Sequence, residues 1–310
     1  MPGKIRQYFS DRKDDVQDYT GGGVVGKFIL AVVVVYLLVA LVLGMIWSSE
    51  PDVFSVREHT RAVANEMQRE PVAGFATTAT MIRVAETLLD KPGGYVSNDI
   101  FPPGLWLDNM PNWEYGVLVQ LRDLSRAMRK DISRSQSQSA EDPDLTIAEP
   151  QFHFDSGSWA IPSTEAEYRR GIQALYSYLD RLSRPDQPNA QFFARADNLA
   201  NWLADLETRL GSLSRTLGES VGKASVSDAV SNVNPGDPLS EDVMGEEVKT
   251  SWTKIDDVFY EARGSAWLCC ISSAPLKWTS ARCLTTRTPW PAPNRSLSNW
   301  KVRRVKCGAP

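Results

Sequence analysis

The residues of this 310-residue chain that are best suited to acid–base chemistry surround its second histidine. His153 and Asp155 are one residue apart, so on a β-strand both side chains would point to the same face. With Glu149 or Asp142 they could bind a metal ion or transfer a proton. The whole chain has only two histidines, which excludes a zinc site built from several of them. The alternative, which we favour, is a hydrogen-bonded structural histidine beside a capping aspartate.

A second candidate site is the acidic and aromatic segment 98–116. Asp99, Asp108, Trp113 and Glu114 lie there among prolines and a glycine. Loops of this composition can bind sugars or peptides. The segment can equally be a packed connection between two helices whose carboxylates cap the helix ends. We prefer the second interpretation, because it needs no ligand.

Other catalytic motifs are weak or missing. Residues 251–254 read Ser-Trp-Thr-Lys, the S-x-x-K spacing of acyl-serine enzymes, but the further motifs of those enzymes do not follow. The chain also lacks a phosphate-binding loop, a dinucleotide fingerprint, a G-x-S-x-G motif and a C-x-x-C pair. We therefore expect no metal and no cofactor, and no enzyme signature is present. Because residues 1–261 carry a net charge of −13, we also expect no nucleic-acid partner.

A long apolar segment near the N-terminus indicates how the candidate site residues are placed relative to a membrane. Residues 28–47 contain no charge, and twenty helical residues span about 30 Å, the hydrocarbon thickness of a bilayer. A soluble core helix would show a polar stripe, and a signal peptide would have a shorter apolar run and a small-residue cleavage site. The sequence therefore predicts an uncleaved transmembrane helix in contact with the lipid bilayer.

The basic residues flanking this helix predict its orientation. Five Lys and Arg precede the helix, whereas only Arg57 and Arg61 occur in the twenty residues after it. Since cytoplasmic flanks carry the excess of positive charge, we expect residues 1–27 in the cytoplasm and the bulk of the chain outside it.

The rest of the chain is predicted to be mainly α: one N-terminal transmembrane helix followed by an extracytoplasmic helical bundle, residues 53–267. Apolar residues recur with helical spacing, and proline or glycine ends several of the runs. The predicted helices cover residues 56–69, 72–90, 113–132, 164–182, 196–217 and a last one from residue 252. A long irregular polar segment is expected at 133–162 and a linker at 223–249.

The helix over 196–217 has the most regular pattern in the chain. Its apolar residues alternate spacings of three and four through three heptads, which is typical of a coiled coil. One interpretation is a homo-oligomer that forms through this helix. The other, which we favour, is a helix that packs within its own bundle, because few paired charges flank the apolar stripe.

The last part of the chain differs from the rest in composition. Residues 262–310 hold nine Lys and Arg, no acid, all four cysteines and four of the ten tryptophans. One interpretation is a basic tail that contacts anionic lipid headgroups. The other is translation in a shifted frame that begins near 265–268, which would explain all the changes at one boundary. We favour the shifted frame and expect residues 268–310 to be an aberrant, disordered tail.

Several specific segments resemble an uncharacterised bacterial membrane family, domain of unknown function 2333. They are residues 98–104, 107–116, the Ser-Gln run at 133–139, and residues 148–155 and 165–171. The resemblance covers about residues 1–267. It implies a single-pass inner-membrane protein of Gram-negative bacteria with a periplasmic domain. It implies no activity, ligand or catalytic residue.

Two functional hypotheses follow from these observations. The leading one is a non-enzymatic cell-envelope protein that binds another envelope protein or the cell wall. The alternative is an envelope hydrolase, ligand-binding domain or sensor. That alternative requires five residues to converge in one pocket: Asp99, Asp108, Glu114, His153 and Asp155.

Overall fold

The chain folds into helices connected by turns and loops. The structure, a computed structural model, describes residues 24–134, 140–184, 190–220 and 254–285, and within these ranges the side chains from residue 26 to residue 271. Within these ranges it has no β-strand, and the predicted mainly α fold is confirmed. The helices are α1 Val24–Trp47, α2 Val56–Glu66, α3 Phe75–Asp90, α4 Asn109–Ala127, α5 Pro143–Phe152, α6 Thr164–Ser183, α7 Ala196–Ser220 and α8 Ile255–Thr285.

Helix α1 differs from the other helices because its surface is both apolar and exposed. Nearly all of its apolar side chains are exposed, from Phe28 to Ile46. Among the described helices it is the one long and apolar enough to cross a membrane, over Gly26–Trp47. A buried core helix of a soluble protein would hide these side chains, so that alternative is excluded. An exposed apolar helix of this length fits a membrane anchor or a signal sequence.

Helix α4 is the centre of the bundle. Its buried stripe contains Val117, Leu121 and Leu124, as the helical spacing predicts. It packs most extensively against α8 and also contacts α3 and α5, while α5 and α6 pack against each other. The largest fully buried side chains, which come from four different helices, include Phe75, Trp113, Phe152, Tyr168 and Tyr178. One continuous apolar core therefore holds the helices together.

Two of the expected irregular segments are partly helical. Helix α5 lies within 133–162, so that prediction is wrong for Pro143–Phe152. Asp142 caps this helix by accepting from the backbone N–H of Asp144 (3.0 Å), and Pro143 follows at the first helical position. Helix α8 continues to Thr285, so the expectation of disorder is wrong for residues 268–285. The linker 223–249 and residues 286–310 lie outside the described residues.

Helix α7 packs on the bundle along a stripe that includes only part of the predicted heptad pattern: Leu199 and Leu206 belong to that pattern and Trp202 does not. Leu199, Trp202 and Leu206 contact the core, and Arg209 donates to Asp123 of α4 (2.9 Å). Two heptad leucines remain exposed: Leu203 is 45 % and Leu210 39 % exposed. The helix therefore binds its own bundle with one face and presents part of its apolar stripe outward.

The half-buried histidine of α2, His59, should make stability depend on pH. His59 lies against the carbonyl of Ala79, and burial, aided by the charge of Arg83, lowers the pKa of His59 below its ordinary value of 6.5. As the pH falls below 6.5, the unfolded histidine takes up a proton that the folded one resists, so stability is lost. Between neutral and mildly acidic pH, the melting temperature should therefore fall less for His59→Gln than for the wild type. An equal difference in both proteins would contradict this assignment.

Candidate functional site

Glu114, on α4, lies at the centre of the acidic and aromatic site predicted over residues 98–116 and is fully buried. Its carboxylate accepts from the backbone N–H groups of Val96 and Ser97, both at 2.9 Å, and from the Ser97 hydroxyl. The ammonium of Lys91 pairs with the same carboxylate and also donates to the Gly94 carbonyl. The side chains of Lys91 and Glu114 are 1 % and 0 % exposed. This ion pair fixes the connection between α3 and α4, and neither partner faces solvent.

The other residues of the acidic and aromatic segment also have packing or capping roles. Asp99 is half-buried over Gly104, where a Cβ would overlap its side chain. Burial, with the negative charges of Glu114 and Glu165 nearby, raises the pKa of Asp99. Asp108 caps α4 by accepting from its first backbone N–H (2.9 Å). Trp113 is fully buried, and its ring meets that of Trp267 edge to face at 5.3 Å.

His153 ends α5 and belongs to a second group of charged residues. Its Nδ1 lies 2.9 Å from the Glu149 carbonyl, and its Nε2 lies 2.9 Å from a guanidinium nitrogen of Arg126. Arg129 binds the Glu149 carboxylate and, at 2.7 Å, that of Glu141. These contacts connect α5 to α4 through exposed and partly exposed side chains.

The expected strand geometry of His153 and Asp155 is wrong. His153 is the C-cap residue that follows α5, and the exposed Asp155 lies in the next turn, where it accepts from the backbone N–H of Gly157 (3.0 Å). Arg122 donates to the carbonyls of Phe152 (2.7 Å) and Phe154 (2.9 Å). The arginine thus satisfies carbonyls at the end of α5, which a helix leaves without partners.

The structure divides the predicted site residues between two places on α4. Glu114, with Asp99 and Asp108, is near the start of the helix, whereas His153 is held by Arg126. Glu114 and Arg126 are twelve positions apart, which is about 18 Å along a helix axis. One catalytic constellation does not extend over that distance. Within the described ranges no group of three or more His, Cys, Asp or Glu side chains is arranged to hold a metal ion.

A feature that the sequence interpretation missed is a contact between α1 and the loop before α4. The Tyr36 hydroxyl donates to the Pro102 carbonyl (3.0 Å), and a Cβ on Gly44 would lie 3.6 Å from the Cβ of Pro103. Ala40, between them on the same face of α1, is buried. Two signals were present in the sequence. They are the small residues Ala40 and Gly44 four positions apart in the apolar helix, and the uncharged run over residues 100–107.

Comparison with known proteins shows the family but no activity. A family model described as an uncharacterized protein conserved in bacteria (DUF2333) matches residues 21–278. The chain belongs to the DUF2333 family. No curated protein matches the chain, and no solved structure matches it. The predicted family resemblance is confirmed, and the match includes the whole of the apolar helix α1 but not residues 1–20, which we had expected it to cover.

The DUF2333 match extends further along the chain than we predicted. It ends at residue 278, after the expected limit at residue 267. It also crosses the boundary at 265–268 where we placed a change of frame, and Leu268 and Ile271 are buried in the core. The match therefore does not support a change of frame at that boundary. For residues after 278 the shifted frame stays a prediction.

Proposed function

We propose that this member of the DUF2333 family is a single-pass protein of the bacterial inner membrane. In this proposal α1 is an uncleaved anchor, residues 1–27 are cytoplasmic and the helical bundle is periplasmic. Support comes from the exposed apolar surface of α1 and from the excess of basic residues before it. Helix α1 also packs against the bundle through Tyr36 and Gly44.

We further propose that the bundle acts by binding protein rather than by catalysis. The observation that carries this proposal is the use of the candidate acids and histidine in structural contacts. Glu114 is fully bonded and buried, and Asp108 and His153 bond to helix ends. A catalytic group must instead face its substrate together with its partners. The alternative hydrolase or ligand-binding site is disfavoured by the separation of about 18 Å along α4.

The surface that we assign to binding is the outward face of α7, and the partner that we propose is a second copy of the chain. Leu203 and Leu210 are seven residues apart and exposed, the spacing at which one helix meets another in a coiled coil. Ala200 and Ala204 beside them are exposed and small, so two helices can approach closely. An unknown envelope protein or the cell wall is the remaining class of partner.

The oligomeric state in detergent tests this proposal. We expect the wild type to be a dimer or larger by light scattering coupled to gel filtration, and the double variant Leu203→Glu/Leu210→Glu to be a monomer. The charge must then be buried in the interface without a partner, which is costly. The matched control is Thr208→Glu/Thr216→Glu, which adds the same charge on the exposed far side of α7. A monomeric wild type, or a leucine variant that stays oligomeric, would contradict self-association.

A further inference from the structure

The loop between α3 and α4 contains an uncharged apolar segment, residues 100–107, which we call the apolar loop. Four of its large side chains are exposed: Ile100 42 %, Phe101 72 %, Leu105 61 % and Trp106 53 %. Such a cluster is unfavourable in water and is typical of a surface that meets protein or membrane. The position of the apolar loop against α1 decides between these two.

The contacts with α1 place the apolar loop at the depth of lipid acyl chains. Trp47 ends α1, where an indole favours the membrane boundary. The two residues of α1 that contact the loop are Gly44, three residues before Trp47, and Tyr36, eleven residues before it. At about 1.5 Å per residue, these positions are about 4.5 and 16 Å inside the boundary. Because half of the hydrocarbon core is about 15 Å thick, the contacts of the loop extend from near the outer boundary to near the midplane of the bilayer.

The backbone of the apolar loop is suited to lipid in part, because several of its polar groups are hydrogen-bonded within the protein. A backbone polar group that lacks a hydrogen bond in hydrocarbon costs roughly several kcal/mol of free energy. The two prolines have no N–H to satisfy. Four consecutive carbonyls accept hydrogen bonds: Phe101 from Leu105 N–H (3.2 Å), Pro102 from the Tyr36 hydroxyl (3.0 Å), Pro103 from Trp106 N–H (3.0 Å) and Gly104 from Leu107 N–H (3.0 Å).

A second apolar turn lies beside this loop. Asn98, two residues before the apolar loop, donates through its side chain to the Ser158 carbonyl (3.0 Å). Trp159 and Ile161, which follow Ser158, are exposed. The same edge of the bundle therefore carries two exposed apolar segments.

We propose that the apolar loop is inserted into the periplasmic leaflet beside α1, with phospholipid acyl chains around its exposed side chains. This inference rests on the proposed anchoring by α1. It adds that the bundle is held to the membrane at two places, so it has a fixed orientation. The start of α4, which directly follows the loop, faces the bilayer.

The proposal can be tested by fluorescence quenching in vesicles. Full-length protein with its four cysteines changed to serine would receive one cysteine in place of Phe101 or Leu105, carrying an environment-sensitive fluorophore. It would be reconstituted into phosphatidylethanolamine and phosphatidylglycerol vesicles containing a lipid with a nitroxide on its acyl chain. Two matched labels serve as controls: Val42→Cys on the exposed surface of α1 and Thr208→Cys on the exposed far side of α7.

The four label positions separate the possible results. We expect labels at 101 and 105 to show blue-shifted emission and to lose most of their fluorescence to the nitroxide lipid, like the label at 42. The label at 208 should keep its fluorescence. If 42 is quenched but 101 and 105 behave like 208, the loop is in water and the insertion is wrong while the anchor stands. If 42 is not quenched, the anchor fails, and the loop proposal with it.

Discussion

Replacing Gly116 or Gly264 with alanine is expected to destabilise the chain strongly. These two glycines lie where α4 and α8 cross. A Cβ on Gly116 would overlap the backbone carbonyl of Glu261, and one on Gly264 would overlap that of Trp113. A backbone cannot move aside as a side chain can, so the helices would have to separate. The Ser265 hydroxyl, which donates to the Gly116 carbonyl (3.0 Å), would lose its bond.

The expected cost of either substitution is about 3 kcal/mol, the upper end for overpacking of a core. Thermal unfolding of the full chain in detergent, followed by circular dichroism, measures it. The matched control is Gly211→Ala on α7, where a Cβ would meet nothing within 4 Å. That change should stabilise the helix by about 0.5–1 kcal/mol, because alanine loses less backbone freedom on folding. If Gly116→Ala unfolded at the same temperature as the wild type, α4 and α8 would not cross at this residue.

The second large effect is expected at the buried ion pair. Glu114→Gln leaves the Lys91 ammonium buried without its counter-charge, and removing one partner of a buried pair costs about 3–5 kcal/mol. The double variant Lys91→Met/Glu114→Gln removes both charges and keeps a side-chain acceptor for the backbone N–H groups of Val96 and Ser97. It should therefore be more stable than Glu114→Gln alone in the same unfolding experiment.

An exposed ion pair provides the matched control for this prediction. Asp90 and Arg169 are bonded at 2.9 Å with both side chains 55 % exposed, and surface pairs contribute about 0–1 kcal/mol. Asp90→Asn should consequently change stability far less than Glu114→Gln. Equal losses in these two variants would contradict a buried, desolvated pair, as would a double variant less stable than Glu114→Gln.

Periodicity predicted most of the helices, because helix formation here follows from local spacing. The stripe of Val117, Leu121 and Leu124 is buried on α4 as predicted. Helix α5 was missed, since it is short, polar and contains Pro150, and it is recognised only by its Asp142 cap and by Leu145 and Phe152 packing inward. Helix α7 was predicted correctly, but its packed stripe depends on which neighbours it meets.

The environment of the candidate site residues was less predictable than the fold. Lys91 belongs to a Lys-Pro-Gly-Gly sequence that indicates an exposed helix end, yet its side chain reaches the buried Glu114, 23 residues later. The partnership of Gly116 with Gly264 has no local signal either, because it depends on how α4 and α8 approach. Long-range pairs of this kind decide whether a carboxylate is structural or available to a ligand.

Protease accessibility of a cell with an N-terminally tagged chain tests the proposed topology most directly. In intact spheroplasts, added protease should degrade the bundle and leave a short tagged fragment protected inside, because α1 spans the membrane with residues 1–27 in the cytoplasm. Before digestion, the tag should remain on the full-length membrane-bound chain. A protected bundle would reverse the orientation. A soluble chain without its tag would instead show that α1 is a cleaved signal sequence, and either result would contradict the anchor.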